Sequence, residues 1–112
     1  MGLDCYVLKK SATDEAPVEI WYGRKENEIH GWMQRESGMA AEDFNCEDLP
    51  LTEDVLLRLE QDCASGGVGY TAGFFFGGAN DTDEVRTVVR NLISVSRLAL
   101  AEGAEVRYTS WW

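Results

Sequence analysis

One apolar stripe near the carboxyl end constrains the fold of this chain more than any other sequence feature. Its members fall on one side of a helix: Val85, Val88, Val89, Leu92, Ser96 and Ala99. Capping and acidic residues at 81–84 precede the stripe, and Gly103 follows it as a stop signal. A long helix of this kind must cover its apolar side with a second layer. The stripe therefore predicts a helix that packs on another element of the same domain.

Residues near both ends of the sequence alternate with a period of two, which predicts strands that can form that layer. The first run is 3–8, and a polar turn that ends at Pro17 follows it. The second run, 18–22, is β-branched and aromatic, as expected for the second strand of a hairpin. The third run, 104–112, predicts a closing strand.

Two more helices are predicted between these strands. From about residue 25 to residue 37, Ile29, Trp32 and Met33 share one helical face, and Gly38 stands where a stop is expected. A polar stripe beside that face consists of Asn27, His30 and Gln34. The next helix begins after Thr52 as N-cap and continues to residue 65.

Two loops connect the helices. Residues 39–50 form an acidic loop with room for one short strand, and residues 66–78 hold six of the eleven glycines. Tyr70 and the phenylalanines at 74–76 either fill the core or, with Trp111 and Trp112, form a partner or self-association surface.

The order of elements predicts a single α+β domain over residues 1–112. A small antiparallel sheet, made of the N-terminal hairpin and the C-terminal strand, packs against about three helices. A chain of 112 residues has room for one hydrophobic core.

The beginning of the sequence does not resemble a secretory signal, because an acid at position 4 precedes the lysines at positions 9 and 10. No apolar run approaches the roughly 20 residues that a membrane helix needs. We therefore expect a cytoplasmic protein. Cys5, Cys46 and Cys63 are odd in number and widely spaced, which predicts buried free thiols and no zinc site or other metal site.

Acidic residues concentrate in the middle of the sequence. The formal net charge is −10, and residues 36–62 contribute nine acids and one base, Arg58. This balance argues against direct binding of nucleic acid or an anionic membrane, and it favours a basic partner. The candidate partner-binding residues are Glu42, Asp43, Glu47, Asp48, Glu53, Asp54, Glu60 and Asp62. The competing interpretation is a solvated surface that serves only solubility.

Three arginines form a basic stripe on the predicted third helix. Arg86, Arg90 and Arg97 lie within about 40° of one another around the helix axis. The stripe could bind a carboxylate or phosphate, but we favour surface ion pairs with acidic residues of 42–62.

The junction between the second strand and the first helix is an alternative site. There Arg24, Lys25 and Asn27 could hold an anion at the helix start, and His30 could transfer a proton near neutral pH. Two nearby glutamates dilute the positive charge, so we assign no catalytic residue. The GVGYTA pattern at 67–72 follows a helix instead of opening one, which argues against a dinucleotide cofactor.

Three short motifs follow one another along the chain: MGLDCY, WYGRKENEIHGW and TAGFFFGG. They resemble the MGLDxYL, YWRKxNxIHxW and SGFFFG motifs of a family of small uncharacterised phage proteins. Gly23 stands where a tryptophan is usual, and Ala72 replaces a serine. The resemblance implies a phage-encoded accessory protein. The family's recurring residues correspond to Arg24, Lys25, Asn27, His30, Trp32 and Phe74 to Phe76.

Charge, size and this resemblance lead to one hypothesis about function. We expect a non-enzymatic phage protein, in the host cytoplasm, that inhibits a restriction or CRISPR complex by presenting its acidic 42–62 surface in place of nucleic acid. The partner is then a host protein with a basic nucleic-acid-binding surface. One alternative is an anionic-ligand or catalytic site at Arg24, Lys25 and His30. The other is a self-associating structural phage component, such as a homodimer.

Overall fold

The predicted α+β class is confirmed by a computed structural model, which describes residues 3–40, 42–65 and 82–112. The strands are β1 (Asp4–Lys10), β2 (Val18–Arg24), β3 (Leu49–Pro50) and β4 (Glu105–Trp111). The helices are α1 (Asn27–Ser37), α2 (Glu53–Ser65) and α3 (Thr82–Ala101). The strands pair antiparallel in the order β2-β1-β4-β3. The hairpin and the closing strand therefore form one sheet, as predicted.

The alternation along the strands decides which face of the sheet is buried. Cys5 and Val7 of β1 are fully buried, whereas Tyr6 between them is partly exposed on the other face. In β4, Val106 and Tyr108 are buried in the same alternating manner. Helix α3 contacts β1, β2 and β4, and its apolar side joins the same core. The sheet is thus the second layer that the apolar stripe requires.

Local signals place the helix ends with one exception. Gly38 ends α1 with a φ of 74°, and its N–H donates to the Arg35 carbonyl. The Thr52 hydroxyl accepts a hydrogen bond from the Val55 N–H at 3.3 Å, as an N-cap does. Helix α1 begins at Asn27 and not near residue 25, because Lys25 has a left-handed backbone with a φ of 56°.

Gly23 lies under the ring of Trp21 on β2. A Cβ atom at position 23 would lie 2.5 Å from the Cη2 atom of Trp21. Trp21 therefore fills the space that a side chain at position 23 would need, at the point where the similar phage motif has tryptophan.

The acidic loop contains the short strand for which the sequence has room, namely β3. The predicted glycine loop, its phenylalanines and the GVGYTA pattern lie outside the described residues. Among the helices that the structure describes, none combines the length and apolarity needed to span a bilayer.

The prediction of buried thiols is right for Cys5 and Cys63 and wrong for Cys46. All three cysteines are free. Cys46 has a φ of 60° in the acidic loop and is exposed, because its main chain follows the edge of β4 while the core beside it is filled by Phe44.

Candidate functional site

The acidic loop is held along the outer edge of β4 by main-chain hydrogen bonds. The N–H of Cys46 donates to the Ser110 carbonyl, and the N–H of Leu51 donates to the Val106 carbonyl, both at 2.8 Å. Between these two points, Leu49 pairs with Tyr108 in the β3–β4 ladder. The loop therefore has a defined backbone path, which includes the short strand for which the sequence has room.

Trp112, which directly follows β4, also holds this loop. Its main chain and the Asn45 side-chain amide exchange two hydrogen bonds, each of 3.0 Å. The indole N–H of Trp112 donates to the Phe44 carbonyl oxygen at 3.0 Å, and the Phe44 ring is fully buried. The sequence predicts Trp112 only as the end of the closing strand or as part of an aromatic surface. Its neighbour Trp111 is the exposed one, at 68% of its accessible area.

All candidate partner-binding residues are exposed, as their charge leads one to expect: Glu42, Asp43, Glu47, Asp48, Glu53, Asp54, Glu60 and Asp62. The Asp62 carboxylate accepts a hydrogen bond from the Trp32 indole N–H at 2.8 Å. The contacts of the other seven divide them into two groups.

One group is neutralised within the protein. The Arg97 guanidinium of α3 bonds Glu53 at 2.8 Å and Glu60 at 2.9 Å, so it bridges two turns of α2. Arg107 of β4 lies 3.4 Å from a carboxylate oxygen of Asp48. The expectation that the arginine stripe pairs with the acidic region is confirmed for Arg97.

The other group keeps its negative charge open to solvent. Within the described residues, the carboxylates of Glu42, Asp43 and Glu47 form no ion pair. Asp54 lies near Arg58, whose guanidinium is bonded to Glu36 instead. We define the acidic segment as residues 42–48, which carries most of this open charge on the anchored loop.

The four residues of the alternative site differ in exposure. Arg24 and Lys25 are exposed, whereas Asn27 is 2% exposed. His30 is half-buried, and its ring lies 5.2 Å from the ring of Phe44 between centroids. The polar stripe expected on α1 is thus partly wrong, because Asn27 faces inward and His30 reaches core aromatic residues.

His30 belongs to a hydrogen-bonded chain inside the core. Its Nδ1 atom lies 2.9 Å from the Tyr108 hydroxyl, which donates to the Cys5 Sγ atom at 3.0 Å. Burial lowers the pKa of His30 to about 4 and raises the pKa of Cys5 to about 12. The imidazole and the thiol are therefore both uncharged at neutral pH. Sequence spacing held no signal for this chain, because its members come from three separate elements.

In the ranges 3–40, 42–65 and 82–112, no group of three or more histidine, cysteine or acidic side chains is placed to hold a metal ion. Comparisons with protein-family models, with curated proteins and with solved structures found no match to this chain. The resemblance to the phage family stays a prediction.

Proposed function

We propose that this protein binds a basic protein surface through the acidic segment. In this proposal the partner is a host defence complex that acts on nucleic acid, and the acidic segment occupies its nucleic-acid-binding surface. The protein is then a phage-encoded inhibitor of the anti-restriction or anti-CRISPR kind and not an enzyme. The observation that carries the proposal is that the acidic segment, whose carboxylates at Glu42, Asp43 and Glu47 form no ion pair within the described residues, is held against the edge of β4.

Anchoring matters because association costs less conformational entropy when charges already have fixed positions. Hydrogen bonds at Asn45 and Cys46 hold the backbone on which Glu42, Asp43 and Glu47 lie. Carboxylates on such a backbone keep their spacing, as phosphates do along nucleic acid. Complementary charge also accelerates encounter with a basic surface, and added salt weakens that attraction.

The state of the titratable core groups supports a binding function over catalysis. At neutral pH the His30 ring is uncharged because burial lowers its pKa to about 4, so it is a weak general base and lacks the second proton of an acidic imidazolium. Burial also raises the pKa of Cys5 and of Cys63, which disfavours the thiolate that a nucleophile requires.

A retention experiment with two matched variants tests the proposal. The protein is immobilised, exposed to lysate of a host that carries restriction and CRISPR complexes, and eluted with duplex DNA or with salt. E42Q/D43N removes two open charges of the acidic segment. E15Q/E19Q removes two exposed charges from the hairpin at the opposite edge of the sheet.

We expect the unaltered protein and E15Q/E19Q to retain the same nucleic-acid-binding complex, and duplex DNA and salt to release it. E42Q/D43N should lose most of this retention while its thermal unfolding stays unchanged. Retention that survives E42Q/D43N, or that duplex DNA does not displace, would refute binding in place of nucleic acid.

A further inference from the structure

A groove between α2 and α3 has the opposite charge from the acidic segment. Its volume is about 580 Å³, and Arg86, Arg90 and Arg97 of α3 line it. Cys63 of α2 lies in the same lining. We call this feature the arginine groove. Its volume is in the range of about 300–1,000 Å³ that is usual for small-molecule sites.

The two ends of the arginine groove differ in charge. At one end, Arg97 is bonded to Glu53 and Glu60, which neutralise it. At the other end, Arg86 and Arg90 form no ion pair within the described residues. The last turns of α2 offer Cys63 and a neighbouring alanine there, and neither supplies a negative charge.

Arg86 and Arg90 are placed to act on one ligand. They are separated by four residues, so they lie on the same side of α3 with about 6 Å of helical rise between them. Both guanidinium groups lower the pKa of the Cys63 thiol against the effect of burial, which places their charge close to the groove wall on α2. Their side chains can thus converge on an anion inside the groove.

Two neighbouring guanidinium groups repel each other unless an anion lies between them. Glu60 is the carboxylate in the lining, and Arg97 already engages both of its oxygens. The planar donors of arginine match the oxygen geometry of a phosphate group and bind it with paired hydrogen bonds. Ile93, which is 5% exposed, and the exposed Ala64 add apolar surface beside these donors.

We propose that the arginine groove binds a phosphorylated small molecule, with the phosphate between Arg86 and Arg90 and an apolar part against Ala64 and Ile93. This site is independent of the acidic segment. The apolar surface should give phenyl phosphate a higher affinity than inorganic phosphate, because inorganic phosphate has no apolar group to contact it.

Titration calorimetry with these two compounds at low salt tests the site. We expect saturable binding of phenyl phosphate, with inorganic phosphate several-fold weaker. Arg86→Ala and Arg90→Ala should each weaken phenyl phosphate binding at least tenfold. Arg35→Ala removes an exposed arginine from α1, outside the groove, and should leave binding unchanged. Absence of saturable binding, or an equal loss in Arg35→Ala, overturns the proposal.

Cys63 provides a second measurement that reports on the groove itself. In a Cys46→Ser background, which lacks the exposed thiol, phenyl phosphate should slow alkylation of Cys63 severalfold. Adding Arg90→Ala should abolish this protection. Circular dichroism of this variant should show that it remains folded. An alkylation rate that phenyl phosphate does not change in the Cys46→Ser background also overturns the proposal.

Discussion

The Nδ1 atom of His30 lies 2.9 Å from the hydroxyl oxygen of Tyr108, although 78 positions separate the two residues. The Tyr108 hydroxyl donates its one proton to the Sγ atom of Cys5. The Nδ1 atom of His30 must therefore carry a proton and donate it to Tyr108. This chain of neutral groups joins α1 to β1 and β4 in the core.

Acid should destabilise the protein through His30. Burial lowers the pKa of the folded-state ring from 6.5 to about 4, so between these values the unfolded chain binds a proton that the folded chain does not. The free energy of unfolding is therefore unaffected by the titration of His30 above about pH 6.5. It falls as the pH drops toward 4, by at most about 3 kcal/mol. Urea unfolding at a series of pH values measures this loss.

The variant His30→Gln is the control, because glutamine can donate to Tyr108 but does not titrate. Its free energy of unfolding should fall less than that of the unaltered protein over the same pH range. Tyr108, which contacts the ring, and Cys5, which accepts the Tyr108 hydrogen bond, stay neutral throughout because burial raises the pKa of both. Parallel pH curves for the two proteins would contradict the assignment to His30.

Gly23→Ala should destabilise the protein by about 1–3 kcal/mol, the usual cost of overpacking a filled space. The added Cβ would lie 2.5 Å from the Trp21 ring and 2.8 Å from the Cγ atom of Glu26. Thermal or urea unfolding measures the change. The same substitution in a Trp21→Phe background should cost less, because the smaller ring leaves more space. An equal cost in both backgrounds would show that contact with Trp21 is not the cause.

Asn45→Ala should lower the free energy of unfolding by about 1–2 kcal/mol, because it removes both hydrogen bonds to the Trp112 main chain. It leaves the net charge unchanged. If anchoring supports the proposed function, this variant should also reduce retention of the partner while it remains folded. Full retention by folded Asn45→Ala would mean that charge alone, without anchoring, drives binding.

Arg97→Ala should change stability by less than about 1 kcal/mol, because ion pairs at an exposed surface contribute little. The exposed partners Glu53 and Glu60 would then add open negative charge to α2. A cycle that combines Arg97→Ala with Glu60→Gln, followed by urea unfolding, measures the coupling. A coupling of several kcal/mol would show that this bridge is a major determinant of stability.

The three thiols should differ in reactivity toward a thiol reagent in the native protein. Cys46 is exposed and should react first. Cys5 should react only after unfolding, since burial raises its pKa to about 12. Counting modified thiols against time checks this order. Rapid native-state modification in a Cys46→Ser variant would contradict the burial of the other two.

Secondary structure was predictable where a neighbouring residue supplies the signal. Gly38 and Thr52 mark helix ends through contacts within a few residues, so their patterns were sufficient. The pattern predicts Lys25 inside α1, which is wrong because no local signal indicates the left-handed backbone of Lys25. Cys46 was expected to be buried because cysteine usually is, yet the path of the loop along β4 exposes it.

The candidate residues were visible in the sequence, but their roles were not. The acidic composition of residues 36–62 follows directly from the amino-acid sequence. Which carboxylates remain open depends on Arg97 and Arg107, which come from elements distant along the chain. A direct ion pair needs charged atoms within about 4 Å of each other, so only the folded arrangement decides which pairs form.

The sequence by itself determined the α+β class, the helix faces and the excess of negative charge, because these depend on periodicity and composition. The tertiary structure decided the anchoring of the acidic segment by Trp112, the burial of His30 and the assembly of the arginine groove. Each of these depends on contacts between residues far apart in the chain. Packing, hydrogen bonding and burial act over distances in space, and spacing along the sequence does not encode them directly.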